Sequence, residues 1–142
     1  MDVRVSSKRQ LLSEIAAAAG AAADVAPRQV LAALKEREQL GSTGVGEGVA
    51  LPHARLEGID DLHAFFWRLH DPIAFEAIDD QPVDLVFVLL VPAGAETVHL
   101  KTLGRIARRL RDGEVRRRMR ESHDAAAAWR LLTAEASRSA AA

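Results

Sequence analysis

Val83-Asp84-Leu85-Val86-Phe87-Val88-Leu89-Leu90-Val91 is apolar at every position but one, and Pro92 and Gly94 close it. A run of this length, rich in valine and leucine and bounded by turn formers, predicts a strand covered on both faces, because an exposed face would call for polar residues at alternate positions. The cover must come from helices. Downstream, Leu100, Leu103, Ile106, Ala107 and Leu110 recur at helical spacing and predict a helix from about 96 to 110, with two shorter ones near 114–122 and 124–132. Upstream, Leu11, Leu12, Ile15 and Ala19 predict a helix reaching about residue 22 and capped by Ser6 or Ser7. Asp24 and Pro27 mark a second helix, with Val30, Leu31 and Leu34 as its stripe, which Gly41 ends. Val49 to Leu51 and Leu62 to Leu69, the latter holding Phe65, Phe66 and Trp67, read as further strands. Ile73, Phe75 and Ile78 fall in a connection punctuated by Pro72, Asp79, Asp80 and Pro82. Helices on both sides of a small sheet make an α/β sandwich, expected as one domain over 1–142 with 1–5 and 134–142 frayed.

Composition narrows the chemistry. A chain of 142 residues suits one core that buries about two thirds of the unfolded surface. Its 49% apolar and 27% charged residues are the balance of a globular protein. There is no cysteine, which excludes disulfides, thiolate metal sites and cysteine nucleophiles and makes the cytoplasm the expected compartment. Lys8 and Arg9 ahead of the alanine-rich stretch 16–23 imitate a secretory signal, but Ser13 and Glu14 fall where such a signal would be apolar. The strongly apolar run 85–91 is far shorter than the roughly 20 residues that cross a bilayer as a helix, so no membrane insertion is expected. Net charge is −1 but unevenly placed. Residues 101–120 hold nine basic side chains against Asp112 and Glu114. The arginines among them (105, 108, 109, 111, 116, 117, 118 and 120) read as a solvated helical face or as a docking surface for an acidic protein. With 4% aromatics and no recognisable binding motif, nucleic acid is not an expected partner.

Candidate chemistry falls to five histidines, because cysteine and tyrosine are absent and a serine nucleophile needs a base beside it. His53 follows a short strand and Pro52, which restrains its backbone. It also follows Gly41-Ser42-Thr43-Gly44-Val45-Gly46-Glu47-Gly48, expected to be irregular, whose glycine amides can approach an anion closely. An imidazole with a pKa of about 6.5 is largely neutral, hence nucleophilic, at pH 7. Local pattern alone leaves this role beside that of an ordinary loop histidine. His63, His70 and His123 read as structural or solvated. A zinc site from His53, His63 and His99 lacks any close ligand spacing, so no metal is expected.

The stretch Arg37-Glu38-Gln39-Leu40-Gly41-Ser42-Thr43-Gly44-Val45-Gly46-Glu47-Gly48-Val49-Ala50-Leu51-Pro52-His53 resembles the active-site segment of the enzyme IIA domains of the bacterial phosphotransferase system. Residues 72–85, Leu89-Leu90-Val91-Pro92, and His99-Leu100 with Leu103 are similar to the fructose, mannitol and nitrogen class, over roughly Val3 to Leu132. The resemblance implies a central mixed sheet of about five strands flanked by helices on both faces. It implies that a histidine-containing phosphocarrier protein phosphorylates His53, that His99 and Arg37 assist, and that no cofactor is needed. On this frame Thr43, Gly44, Val45, Gly46 and Gly48 are expected to bind the phosphoryl oxygens, with Thr43 either donating to phosphate or ordering the loop. The bland alternatives are that Arg37 binds the last carbonyls of its own helix and that His99 covers the sheet edge. With no transporter segment or second carrier domain in the chain, the likeness is to the stand-alone nitrogen-regulatory branch, whose implied partners include potassium transporters and sensor kinases. A fructose-type component passing phosphate to a permease domain is one alternative. A non-enzymatic binding module like the cytoplasmic domains of anion transporters is another. Family members usually carry another leucine-rich segment ahead of the part matching Val3; this sequence begins at that point, being either trimmed or that of a short member.

Overall fold

A computed structural model describes residues 2–122 and 125–133. In chain order the elements are β1 (Asp2–Val3), α1 (Lys8–Ala23), α2 (Pro27–Gln39), β2 (Gly44–Gly46), β3 (Val49–Ala50), β4 (His53–Leu56), β5 (His63–Ile73), β6 (Val83–Pro92), α3 (Glu96–Leu110), α4 (Gly113–Glu121) and α5 (Ala125–Thr133). The sheet order is β1-β5-β6-β3-β2, with β4 also paired to β6. It is mixed: β5 runs antiparallel to β6, whereas β3 and β4 run parallel to it. β3 and β4 are one strand interrupted at Leu51-Pro52, where proline has no N–H to give the ladder. The register does not slip across the break, since Val49 lies opposite Leu85 and His53 opposite Leu89. Counted so, the sheet has the five strands expected.

The apolar run behaves as a doubly covered strand must. Val86, Val88 and Leu90 of β6 join Leu11, Ile15, Val30 and Leu34 in the core beneath α1 and α2. Leu85, Phe87 and Leu89 join Ile106, Leu110, Val115 and Met119 beneath α3 and α4. Each such buried side chain contributes on the order of 1.5–3 kcal/mol, so alternation along one strand ties both helical layers to the sheet. Ser7 caps α1 by accepting the Gln10 N–H at 3.1 Å, and Gln10 Oε1 accepts the Ser6 N–H at 2.8 Å in return. Pro27 occupies the first turn of α2, where its missing donor costs nothing.

Three expectations are corrected. Asp2–Val3, placed in a frayed terminus, form β1 and pair in parallel with Arg68 and Leu69, while Val5 is buried. Strand β5 does not stop at Leu69 but runs to Ile73, and Pro72 is tolerated because the register with β6 shifts between Arg68 and Ile73. The glycine-rich segment is irregular only in part: 41–43 have no regular structure, but from Gly44 on β2 and β3 form an antiparallel hairpin turning at Glu47-Gly48, both at positive φ. The expected frayed tail 134–142 and His123 lie outside the described residues. Among the described residues, no helix is long and apolar enough to cross a membrane.

Candidate active site

The break between β3 and β4 positions His53. Pro52 O still accepts the Leu89 N–H at 3.0 Å, which holds the chain to β6, and the Leu51 carbonyl sits 2.8 Å from His53 Nδ1. A carbonyl can only accept, so the ring proton is on Nδ1 and the free electron pair is on Nε2. The other side of the ring agrees. Arg37 Nε–H, a pure donor, points at Nε2 from 3.2 Å. Burial pushes the His53 pKa below its ordinary value; the Leu51 contact opposes this, the Arg37 charge adds to it and Glu38 opposes it. His53 is therefore a neutral, half-buried imidazole with an outward-facing Nε2 nucleophile.

A cavity of ≈ 470 Å³ opens in front of that nitrogen, bordered by α2, β4 and the start of α3. Arg37 and His99 line it together with His53, so the structure brings all three to one place. Arg37 also donates to the Gly41 carbonyl at 2.9 Å, so the bland reading of that arginine holds alongside its contact to His53. His99 lies in the first turn of α3, half-buried, and lines the same cavity from that helix. Leu40 and Leu100, which line the cavity, stand at 82% and 65% exposure and give its edge an apolar rim. Leu100, expected in the core stripe of α3, belongs to that rim.

The structure does not bring Thr43, Gly44, Val45, Gly46 and Gly48 into the cavity. Thr43 N–H and Oγ1–H both donate to the Glu38 carboxylate, the former at 3.1 Å. Gly44 N–H donates to Ser42 Oγ at 3.0 Å. Gly46 and Gly48 lie at the turn, where Arg120 Nη2 binds both Asp84, at 2.9 Å, and the Glu47 carbonyl, at 3.0 Å. At about 3.3 Å per residue, Gly48 is roughly 16 Å along the strand from His53, at the opposite end of the sheet. The glycines have a packing reason instead: a Cβ on Gly44 would fall 2.8 Å from Ala77 Cα, and one on Gly48 2.5 Å from Arg120 Nη2.

Sequence reasoning missed Arg55 and Glu96, which line the same cavity and pair with each other at 3.3 Å. A signal existed. Arg55 is two residues beyond His53 on one strand, hence on the same face. The arginine-rich stretch divides. Arg109 donates to the Leu131 carbonyl, Arg116 to those of Leu110 and Arg111, and Arg117 and Arg118 pair with Glu114. Arg105, Arg108 and Arg111 are exposed.

Known proteins show the same arrangement of chain. The family model described as "Phosphoenolpyruvate-dependent sugar phosphotransferase system, EIIA 2" matches residues 1–135. A nitrogen regulatory protein of Bradyrhizobium diazoefficiens is 48% identical over 130 residues, covering 92% of this chain and 85% of that protein. One of Escherichia coli (strain K12) is 43% identical over 133 residues, covering 92% of this chain and 81% of the relative. The crystal structure of nitrogen regulatory protein IIA-Ntr from Neisseria meningitidis superposes with a TM-score of 0.88 at 34% identity, over 94% of this chain and 91% of the other.

Proposed function

The chain belongs to the EIIA 2 family of the phosphoenolpyruvate-dependent sugar phosphotransferase system, and we propose that it accepts a phosphoryl group on His53 Nε2 from a histidine-containing phosphocarrier protein and serves in regulation. The observation that carries this reading is the polarised ring: a carbonyl on Nδ1 and a guanidinium on Nε2, at the mouth of a cavity that holds a second histidine.

Transfer is written as an in-line exchange. The Nε2 pair attacks phosphorus as the donor's P–N bond breaks, and that bond's electron pair returns to the donor imidazole. Because Nδ1 keeps its proton, the His53 ring gains positive character, which the Leu51 carbonyl stabilises. Arg37 Nε–H occupies the nucleophilic pair in the resting protein and must swing aside as phosphorus arrives. The natural new partner for its guanidinium is an equatorial oxygen, with His99 donating to another from the α3 side. Positioning and charge stabilisation of this kind supply most of the catalysis in phosphoryl transfer. The hairpin residues Thr43 to Gly48 take no part in the proposed contacts.

Once formed, phospho-His53 adds nearly two negative charges to the cavity edged by Leu40 and Leu100, which changes what that surface can bind. The regulatory reading is supported over sugar delivery by relatives of 43% and 48% identity named as nitrogen regulatory proteins. On it, the protein works in the cytoplasm, and its targets are proteins such as potassium transporters or sensor kinases. The test is incubation with phosphoenolpyruvate, the first enzyme of the cascade and the carrier, followed by mass spectrometry. Acid-labile phosphate on His53 is the expected result. Label on another residue would overturn the site, and no label at all would favour a non-enzymatic binding module. Onward transfer to a fructose-type permease domain would replace regulation with sugar delivery.

A further inference from the structure

One buried ion pair has no part in the exchange just described. Glu38 follows Arg37 in α2, yet its side chain, only 8% exposed, meets Lys8 Nζ of α1 at 2.8 Å. Lys8 in turn lies 4.5 Å from the centre of the Phe75 ring. A buried ion pair is costly to desolvate unless its remaining valences are satisfied. Here Thr43 satisfies them, giving its N–H at 3.1 Å and its Oγ1–H to the same carboxylate. Thr43 does not stop the chain of contacts: its carbonyl accepts the Leu51 N–H at 2.9 Å, and the Leu51 carbonyl accepts His53 Nδ1–H at 2.8 Å. Lys8, Glu38, Thr43, Leu51 and His53 thus form one continuous polar line from α1, through α2 and the hairpin base, to the ring.

We infer that Glu38 is a positioning residue for the acceptor histidine: by gripping Thr43 it holds the Leu51 backbone against Nδ1, so that Nε2 is the nitrogen left unprotonated. The inference rests on the acceptor role given to His53. The physics is that of an imidazole whose tautomer is set by whichever hydrogen bond its other nitrogen makes. Glu38→Gln preserves size but turns an amide N–H₂ toward Lys8 or Thr43, two donors that want an acceptor. Thr43→Val preserves shape and removes the hydroxyl. In both, the Leu51 carbonyl is released from its fixed place and the ring can exchange to the Nε2–H form, which has no free pair facing the cavity.

The experiment uses the full chain with ¹⁵N-labelled histidine. Ring nitrogen shifts of unphosphorylated His53 report the tautomer, and phosphoryl uptake from saturating donor carrier is timed on the same samples. Expected for Glu38→Gln is a shift of population from Nδ1–H toward Nε2–H with at least fivefold slower uptake. Thr43→Val, which disturbs no charge, should move both readouts the same way and serves if Glu38→Gln fails to fold. Unchanged nitrogen shifts in the folded variants overturn the inference, even if uptake slows, because a merely structural pair would alter rate or stability without altering the tautomer. Should the wild-type protein take up no phosphoryl group at all, the acceptor reading falls, while the shifts still decide whether Glu38 sets the ring.

Discussion

The two ends of the β3–β4 strand are built to opposite purposes. At the hairpin turn, Arg120 clamps Asp84 and the Glu47 carbonyl, Asp79 accepts the Glu47 N–H at 2.9 Å, and little is left for a ligand. Near His53, a cavity stays open, an ion pair between Arg55 and Glu96 is exposed, and the apolar side chains of Leu40 and Leu100 face solvent. Gly44, Gly46 and Gly48, three of the four glycines of the most unusual stretch of the sequence, belong to the closed end, whereas Gly41 lies beside Arg37. The three let the chain turn tightly and approach Ala77 and Arg120, which sets the register that delivers His53 to the open end. Conformational freedom at one end of a strand therefore becomes rigidity at the other.

The comparison breaks most completely if the open end tolerates loss of its histidine. His53→Ala should abolish acid-labile phosphate while the fold remains, because the ring is half-buried and carries no core packing; residual label would place the chemistry elsewhere. Next in size is Arg37→Gln. Losing a charge-assisted hydrogen bond worth about 1.5–3 kcal/mol should slow uptake about 10- to 100-fold, without moving the site of label. A rate within twofold of wild type would reduce Arg37 to a cap on the Gly41 carbonyl. At the closed end the expectation inverts. Gly48→Ala sets a Cβ at positive φ against Arg120 and should cost about 1–2 kcal/mol in a denaturant melt, while the uptake rate of the folded protein stays the same. If uptake fell with no loss of stability, the glycine amides would bind phosphate after all.

Much of this architecture was legible before any coordinates. Periodicity and cap signals located the five helices of the described residues, and the apolar run named β6 as the strand covered on both faces, since side-chain spacing is a local property that burial then rewards. The likeness to enzyme IIA picked out His53, Arg37 and His99, and one cavity holds all three. What failed was long-range. Nothing in residues 41–48 says that Asp79, Asp84 and Arg120, up to about 70 positions away, will fold over the glycines. Glycine-rich sequence fits an anion cradle and a tight hairpin equally well, and only the tertiary partners decide between them. Likewise Asp2–Val3 look like a loose terminus until β5 offers an edge beside Arg68 and Leu69.

The smallest effect concerns proton binding at the open end. The ionisable groups about His53 are Glu36, Arg37 and Glu38 of α2, Arg55 of its own strand, and Glu96 and His99 of α3. Burial makes the folded ring harder to protonate than the unfolded one. As pH falls below about 6.5 the unfolded chain therefore takes up the proton first, and folding loses stability until the folded ring titrates as well. Above that value both forms are neutral and His53 contributes no pH dependence. His53→Gln lacks the titration but keeps the other ionisable groups, including the Glu96 carboxyl, which lies below its usual range through backbone hydrogen bonds. Wild type minus variant stability, from melts at a series of pH values, should thus be flat above 6.5 and decline toward acid. A difference that instead grows toward acid would mean that Glu38 outweighs burial and holds the ring as a cation, which would remove the neutral nucleophile on which the contrast between the two ends depends.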